Sequence, residues 1–311
     1  MIKFTNEPMF YIYNILRDNL KKMNSDEIIE FQVLNPDFGD SIYSGTNIEI
    51  DGKIHIYRSL NSWNDLAQKL FCKMLIPRFL DENSVVIRFR KLNLNNSFHM
   101  EDKSSEKYGV SSQFNSINKN EEPEILSTYL KALSEVKIEK RARVLNLGIN
   151  SGSEFKLIKD CFAFFSKIEF VGIDYSQSAI AKAKELFKED KNCKFYCHDI
   201  NDLKALDLGR FDLIISIGTL QSSNLNFNEI FMSTVQNYLK KDGAMILGFP
   251  NCRWLDGELI YGAKAANYSY SEMSVLYKDA MFCKKYLQQK KFRVTLTGKY
   301  YIFLTASSIR K

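Results

Sequence analysis

Two aspartates each close a short apolar run: Ile168-Glu-Phe-Val-Gly-Ile-Asp174 and Cys193-Lys-Phe-Tyr-Cys-His-Asp199. A carboxylate at the position of Asp174 can accept both hydroxyls of a ribose. Asp199 is followed by Ile200, which sets a hydrogen-bond acceptor beside an apolar side chain, as an adenine amino group and ring face require. Upstream, Val144-Leu-Asn-Leu-Gly-Ile-Asn-Ser-Gly152 leads from an apolar strand into a turn bracketed by Gly148 and Gly152. Glycines there let the backbone approach a ligand, and the start of the following helix is expected to present free N–H groups. Many nucleotide folds share such a turn, and either aspartate alone fits a helix or turn cap. The two together, at the ends of consecutive strands, favour a binding site.

The elements that must hold these residues follow from apolar periodicity. After Pro123 the pattern predicts a helix to Val136, a strand over 143–147, a helix over 154–165, a strand over 168–174, a helix over 178–187 and strands over 193–199 and 211–217. A helix over 226–239 and a strand over 244–249 follow, with Lys241-Asp242-Gly243 as the turn between them. A helix over 273–289 and strands over 292–297 and 300–305, joined at Gly298-Lys299, complete the pattern. Alternating strands and helices predict an α/β domain with a doubly wound, seven-stranded, mostly parallel sheet. The tight terminal hairpin requires an antiparallel last strand. Ligands of such sheets bind beyond the carboxyl ends of the strands, where strand order reverses.

Residues 1–94 read as a small N-terminal α+β domain. Asn47–Ile50 and Lys53–Tyr57 flank Asp51-Gly52, a hairpin signal. Trp63 to Leu75 has helical spacing, and Ser84 to Leu94 alternates like a strand. Residues 95–122, polar and carrying Tyr108 and Phe114, read as a linker or cofactor-covering loop. The second domain then covers 123–311.

The 311 residues are 45% hydrophobic and 26% charged, as in a globular protein with a sizeable core. No apolar run reaches the roughly 18–20 residues of a membrane span. The first ten residues lack the pattern of an export signal, which points to the cytoplasm. Six scattered cysteines are expected to be buried free thiols. Cys193, Cys197 and His198 lack the further ligands of a metal site, and none is expected. The net charge of +6 arises entirely after residue 120, because residues 1–120 hold 15 basic and 15 acidic residues. Residues 281–311 carry eight basic residues and no acid. That basic end fits either an anionic partner such as RNA or a solvated lysine face.

Residues Val144–Pro250 resemble the cofactor-binding core of class I S-adenosylmethionine (SAM)-dependent methyltransferases. Motif order, motif spacing and the glycine before the fifth strand carry the likeness. It extends to the reversed terminal hairpin and covers roughly residues 123–306. The resemblance implies that SAM is the cofactor, with Gly148 and Gly152 flanking its methionine, Asp174 on its ribose, and Asp199 with Ile200 at its adenine. It further implies Tyr175 against the adenine and Ile217, at the end of the fourth strand, beside the same cofactor. Asn146 stands where the family usually has Asp or Glu, and Asn150 where it has Gly. Asn150 tolerates a left-handed turn. Asn146 keeps hydrogen-bonding capacity but lacks the charge that would face the SAM amino group.

SAM brings its own activated methyl, so alignment and exclusion of water suffice, and no residue is marked as catalytic. Gly218-Thr219-Leu220-Gln221 is not the Asn/Asp-Pro-Pro-Tyr of amino-group nucleobase methylation, and Cys252 follows the wrong strand for cytosine C5 chemistry. Asn251 to Tyr270, read as a long insertion after the fifth strand, carries Arg253, Trp254, Tyr261, Lys264 and Tyr268 as candidate substrate-binding residues. With the N-terminal module it is expected to form the acceptor site, the acceptor being RNA, tRNA included, or a small molecule. Two alternatives stay open: a SAM-fold transferase moving a non-methyl group onto tRNA, and a non-catalytic SAM-fold binding subunit. Oligomeric state is not legible.

Overall fold

The computed structural model describes residues 1–97, 109–222, 225–263 and 272–310. The chain divides into two compact units, Met1–Ser97 with Trp254–Ile260, and Phe98–Arg253 with Tyr261–Lys311.

In the first unit, β1 (Ile2–Lys3), α1 (Met9–Leu20) and β2 (Ile28–Leu34) are followed by the hairpin β3 (Asn47–Ile50) and β4 (Lys53–Ile56), then α2 (Leu60–Lys69), β5 (Cys72–Phe79) and β6 (Ser84–Lys91). The sheet order is β1-β2-β6-β5. Helix α1 buries Ile12, Leu16 and Leu20, one residue per turn along one face. Phe31 sits at the centre, with the rings of Phe4, Trp63 and Phe89 at 5.5, 5.6 and 5.2 Å. The Asp51-Gly52 turn forms with both residues at positive φ, 50° and 71°, as the hairpin signal requires.

The helix expected from Trp63 to Leu75 stops at Lys69. Phe71 takes a left-handed φ of 53°, and Cys72–Phe79 becomes a strand paired with β6. Met74 and Leu75 satisfied the helical spacing, but pairing with the strand over 84–91 overrides it.

The second unit begins with short 3₁₀ turns at Gln113–Ser116 and Lys119–Glu121. Then come α3 (Pro123–Glu135), β7 (Arg143–Leu147), α4 (Ser153–Cys161), β8 (Glu169–Asp174), α5 (Gln177–Leu186), β9 (Cys193–Cys197), β10 (Phe211–Ile217), α6 (Phe227–Ser233) and β11 (Leu239–Pro250). The hairpin β12 (Cys252–Leu255) and β13 (Glu258–Tyr261), α7 (Ser274–Gln289), β14 (Phe292–Thr297) and β15 (Tyr301–Ser308) complete it. The seven-stranded sheet has the order β14-β15-β11-β10-β7-β8-β9, parallel except that β15 runs antiparallel to both neighbours. This is the expected doubly wound fold with its reversed terminal hairpin.

Alternation along the strands makes two packed layers. Leu145, Leu147, Val171, Ile173, Ile214, Met245 and Leu247 join Ile230 and Phe231 of α6 and Ala280, Cys283 and Leu287 of α7 in one core. Phe170 faces the other way, between Phe155 of α4 (4.8 Å) and Phe165 (4.5 Å), while Tyr129 of α3 stacks on Phe303 at 5.8 Å. Gly172 leaves room for Ile149 and Phe195, each of which would lie 2.9 Å from an added Cβ.

Several boundaries shift from the sequence expectation. Helix α6 widens into a π turn over Thr234–Tyr238, and the strand starts at Leu239 and contains Lys241-Asp242-Gly243 as a slip in register against β10. The stretch after Asn251 is a two-stranded hairpin rather than a loop. Asp256 and Gly257 turn it at φ of 50° and 80°, the same Asp-Gly signal as at 51–52. Its tip, Trp254–Ile260, groups with the first unit. There the Asp256 carboxylate accepts hydrogen bonds from Arg90, the Asn93 backbone and Asn96.

No helix among the described residues is long and apolar enough to cross a membrane. Phe170 is fully buried between two rings. Phe170→Ala is expected to lower the unfolding free energy by about 3–5 kcal/mol, measured by urea denaturation; a loss below about 1 kcal/mol would contradict this packing.

Candidate functional site

Strand order reverses between β7 and β10. The connections from β7 step outward to β8 and β9, and the chain then crosses back to β10. The loops after β7, β8 and β10 therefore meet at one point on the carboxyl edge, as this sheet type dictates. Asp174 ends β8, and its carboxylate ties two of these loops together. One oxygen accepts from the Asn150 backbone N–H at 2.8 Å, the other from Ser176 N–H at 2.9 Å. Asn150 takes φ of +50°, the left-handed conformation that permits Asn at a glycine position.

The glycine turn differs from expectation in one respect. Gly148 and Ile149 donate their N–H groups to Ile173 O, Asn150 to Asp174, Ser151 to the Asn150 side chain, and Gly152 to Ile149 O. Every backbone donor from 148 to 152 is engaged, so the turn presents none free; parallel pairing with β8 continues past the last strand residue and consumes them. Close approach does hold. Gly148, at φ +80°, would put a Cβ 1.8 Å from Thr219 Oγ1, so the loop after β10 presses directly on it. Gly152, at φ +93°, packs α4 against α5 instead, with Phe187 2.8 Å from an added Cβ.

Asn146 lies on β7 with 1% of its surface exposed, and neither its amide nitrogen nor its oxygen has a hydrogen-bond partner. Buried amides are normally satisfied, and this one is an exception to that rule. A set of titratable residues that sequence reading did not single out groups around Glu154. Glu154, in the first turn of α4, is 7% exposed. Burial pushes its carboxyl above the ordinary value, Lys119 opposes that shift, and Asp174 adds to it. Lys119 directs its ammonium between the rings of Phe114 and Tyr301, 5.5 and 5.4 Å from their centroids. Burial lowers its pKa, but Tyr301, Glu154 and Cys252 outweigh that and raise it. The Tyr129 hydroxyl is buried without a partner, and burial, with Glu154 nearby, pushes its pKa well up. Burial likewise raises Tyr301, against the pull of Lys119. Only the place of Glu154, two residues after Gly152, could have drawn notice; Lys119 lies in a polar stretch without periodicity.

The other expected residues are placed as follows. Strand β9 ends at Cys197, and Asp199 instead caps the 3₁₀ turn Ile200–Leu206 by accepting from Asn201 N–H at 2.9 Å. Ile200 is buried beside it, and Tyr175 is 57% exposed. Ile217 packs under Gly248, where an added Cβ would meet it at 2.8 Å. Arg253 is half-buried, which lowers its pKa, and Trp254 groups with the first unit. Tyr261 meets Tyr300 edge-on at 6.2 Å, with the Lys299 ammonium over both rings. Lys264, Tyr268, Asn267, Tyr270 and Tyr108 lie outside the described residues. At the base of this hairpin Asn251, 1% exposed, donates to Lys299 O and accepts from Ala263 N–H.

All six cysteines are free, but Cys161 and Cys197 are exposed rather than buried, because each ends its element on the solvent side. Burial raises the Cys252 thiol to about 12, which removes it as a nucleophile. Among the described residues no cluster of His, Cys, Asp or Glu is arranged to hold a metal.

A mostly parallel seven-stranded sheet with a reversed seventh strand, and an acid at the end of its second strand, defines the class I SAM-dependent methyltransferase fold. The chain belongs to that family: a family model described as "Methyltransferase domain" matches residues 138–297. Its cofactor is S-adenosyl-L-methionine. Among curated proteins it is similar to carboxy-S-adenosyl-L-methionine synthases of Helicobacter pylori. The strain G27 protein is 27% identical over 140 residues, 43% of this chain and 56% of that protein. The strain J99 protein matches at the same identity and coverage. The chain thus spans about half the length of the curated relatives it matches. Among solved structures, it is similar to magnesium protoporphyrin IX methyltransferase from Synechocystis with bound SAM, at 16% identity over 58% of this chain and 78% of that one, TM-score 0.39. A Pyrococcus horikoshii protein aligns at 18% identity over 65% and 95%, TM-score 0.41. Likeness at these scores carries no weight, and the fold rests on strand order and register.

Two expectations follow from the turn and its acid. Gly148→Ala is expected to lower the melting temperature, through about 1–2 kcal/mol of left-handed strain plus the Thr219 clash; adding Thr219→Gly should recover part of the loss, and no recovery would contradict the close approach. For Glu154, a folded pKa above its ordinary 4.5 means that stability falls as pH rises through and beyond 4.5. Glu154→Gln is therefore expected to gain melting temperature relative to the parent between pH 4 and pH 7; a constant difference would contradict its burial as an ionisable group.

Proposed function

We propose that the second unit binds SAM across the switch point and that the chain transfers its methyl group to a small-molecule acceptor. The carrying observation is Asp174: a carboxylate held by two backbone N–H groups at the end of β8, with both oxygens fixed toward the carboxyl edge. In this reading Asp174 accepts the ribose hydroxyls, while Asp199 and Ile200 take the adenine amino group and ring face. Tyr175, exposed at the start of α5, covers the adenine from the other side. Gly148, Asn150 and Gly152 shape the turn over which the methionine part lies, with Ile217 beneath. The bound cofactor supplies a methyl already activated on sulfur, so the protein's work is alignment and exclusion of water. Transfer is then an in-line displacement from the sulfonium, with no obligatory base.

Sheet topology favours a small acceptor over RNA. Strand β14 starts level with the end of β15, at the amino edge of the sheet. The exposed Lys290 and Lys291 just before it lie a six-residue strand, about 20 Å, from the carboxyl edge. Lys284 and Lys285 lie earlier on α7, which leads into that edge. Lys299, Tyr300 and Tyr261 do lie at the carboxyl edge, a cation and two rings suited to a planar or anionic molecule. The relatives named as carboxy-SAM synthases support a second reading, in which the group that moves is not a methyl. Methyl-labelled SAM separates the two: label in a small-molecule product supports methyl transfer, and label retained in a modified SAM supports the second reading.

Isothermal titration is expected to give S-adenosylhomocysteine (SAH) binding to the parent, none of NAD, and a loss of about 30-fold or more on Asp174→Ala. Unchanged affinity in Asp174→Ala would remove the ribose assignment.

A further inference from the structure

Position 146 on β7 holds a neutral, buried amide, and at the start of α4, just after the glycine turn, the chain brings Lys119 and Glu154 onto neighbouring segments, tied by the hydrogen bond from Asn120 to Ser153 O at 3.3 Å. If ribose and adenine lie at Asp174 and Asp199, on the β8 and β9 side, the other end of SAM extends over Gly148 toward β7 and β10. That end is a zwitterion, with one ammonium and one carboxylate. Its carboxylate finds no donor in the glycine turn, because each N–H from 148 to 152 is already engaged. Its ammonium finds at Asn146 only a neutral amide, buried and with both polar atoms unpartnered.

We propose that Lys119 and Glu154 form the receptor for this zwitterion, Lys119 taking the carboxylate and Glu154 the ammonium. The inference rests on SAM being the occupant. Glu154 is buried in the first turn of a nine-residue helix that starts directly from the glycine turn. Its carboxyl accepts from Ser153 Oγ at 3.2 Å and from its own backbone N–H, which leaves lone pairs over for a ligand. Lys119 comes from the 3₁₀ turn before α3, and the rings of Phe114 and Tyr301 hold its stem and ammonium in place. Lys119 and Glu154 influence each other's charge, yet among the described residues no ion pair joins them. Lys119 thus keeps its charge, while the Glu154 carboxyl, whose burial favours the neutral form, becomes the partner of an ammonium once ionised. The Tyr301 hydroxyl reaches the β10 end, 3.6 Å from where a Gly218 Cβ would stand, so this cluster and the Gly148–Thr219 contact border the same loops. The Tyr129 hydroxyl is buried, unpartnered and close enough to feel Glu154. A carboxylate at 146 on the strand is thus replaced by one on the helix, with a cation set across from it.

The test uses the full chain and three probes in isothermal titration. SAH carries both charged groups, decarboxylated SAM carries the ammonium without the carboxylate, and 5′-methylthioadenosine carries neither. Lys119→Met should weaken SAH about 10- to 100-fold while leaving decarboxylated SAM and methylthioadenosine within a few-fold of the parent. Glu154→Gln should weaken SAH and decarboxylated SAM to a similar degree and spare methylthioadenosine. Lys119→Arg, which keeps the charge, should retain most of the SAH affinity. Equal losses for all three probes would make the pair a structural support and overturn the proposal, as would SAH affinity unchanged in both Lys119→Met and Glu154→Gln. A parent that binds none of the three would overturn the SAM reading itself, which separates the two failures.

Discussion

The Asp174 carboxylate is the interaction on which the rest of the site depends. By accepting from Asn150 it fixes the left-handed turn of the glycine loop, and by accepting from Ser176 it fixes the start of α5. Both loops leave adjacent strands at the switch point, so one side chain sets the spacing of the cleft. The carboxylate is held by charge-assisted bonds to backbone groups, which are stronger than neutral ones and keep its position well defined. The same group that organises the loops is the one a ribose would meet. In the proposed reading, structure and binding are therefore coupled at a single residue.

The close approach at Gly148 follows from that arrangement. With the glycine turn drawn toward β8, its backbone N–H groups are spent on Ile173, Asp174 and the turn itself. The loop after β10 then closes on Gly148 through Thr219, where no Cβ fits. What the turn provides is space and shape rather than donors. In the proposed reading, recognition of the charged ligand groups passes to side chains from neighbouring elements, Glu154 from α4 and Lys119 from the segment before α3. Substituting Asn for an acid at 146 thus moves the charge of the site rather than deleting it.

Much of this was legible in the sequence, for identifiable reasons. Strands buried on both faces give unbroken apolar runs, so Val144–Leu147, Phe170–Ile173 and Leu213–Ile217 announced the sheet, and Gly298-Lys299 announced its reversed hairpin. Asp174 was readable because it ends such a run. Trp63–Leu75 was misread because Met74 and Leu75 fit a helical stripe as well as a strand, and only pairing with residues 84–91 decides between them. The 252–261 hairpin was read as a loop although it carries the same Asp-Gly pair that identified residues 51–52. Lys119 and Glu154 were invisible for a different reason. A lone lysine in a polar stretch and a glutamate in a first helical turn are ordinary solvent-facing residues by local pattern, and only the tertiary fold brings them to one buried place.

The central claim is that SAM occupies the switch point with its ribose on Asp174. A crystal structure of the protein with SAH tests this most directly. The account predicts both ribose hydroxyls about 2.6–3.2 Å from the Asp174 carboxylate, with the adenine beside Ile200 and the amino-acid end over Gly148. Ligand bound elsewhere, or at the carboxyl edge with its ribose away from Asp174, would contradict it.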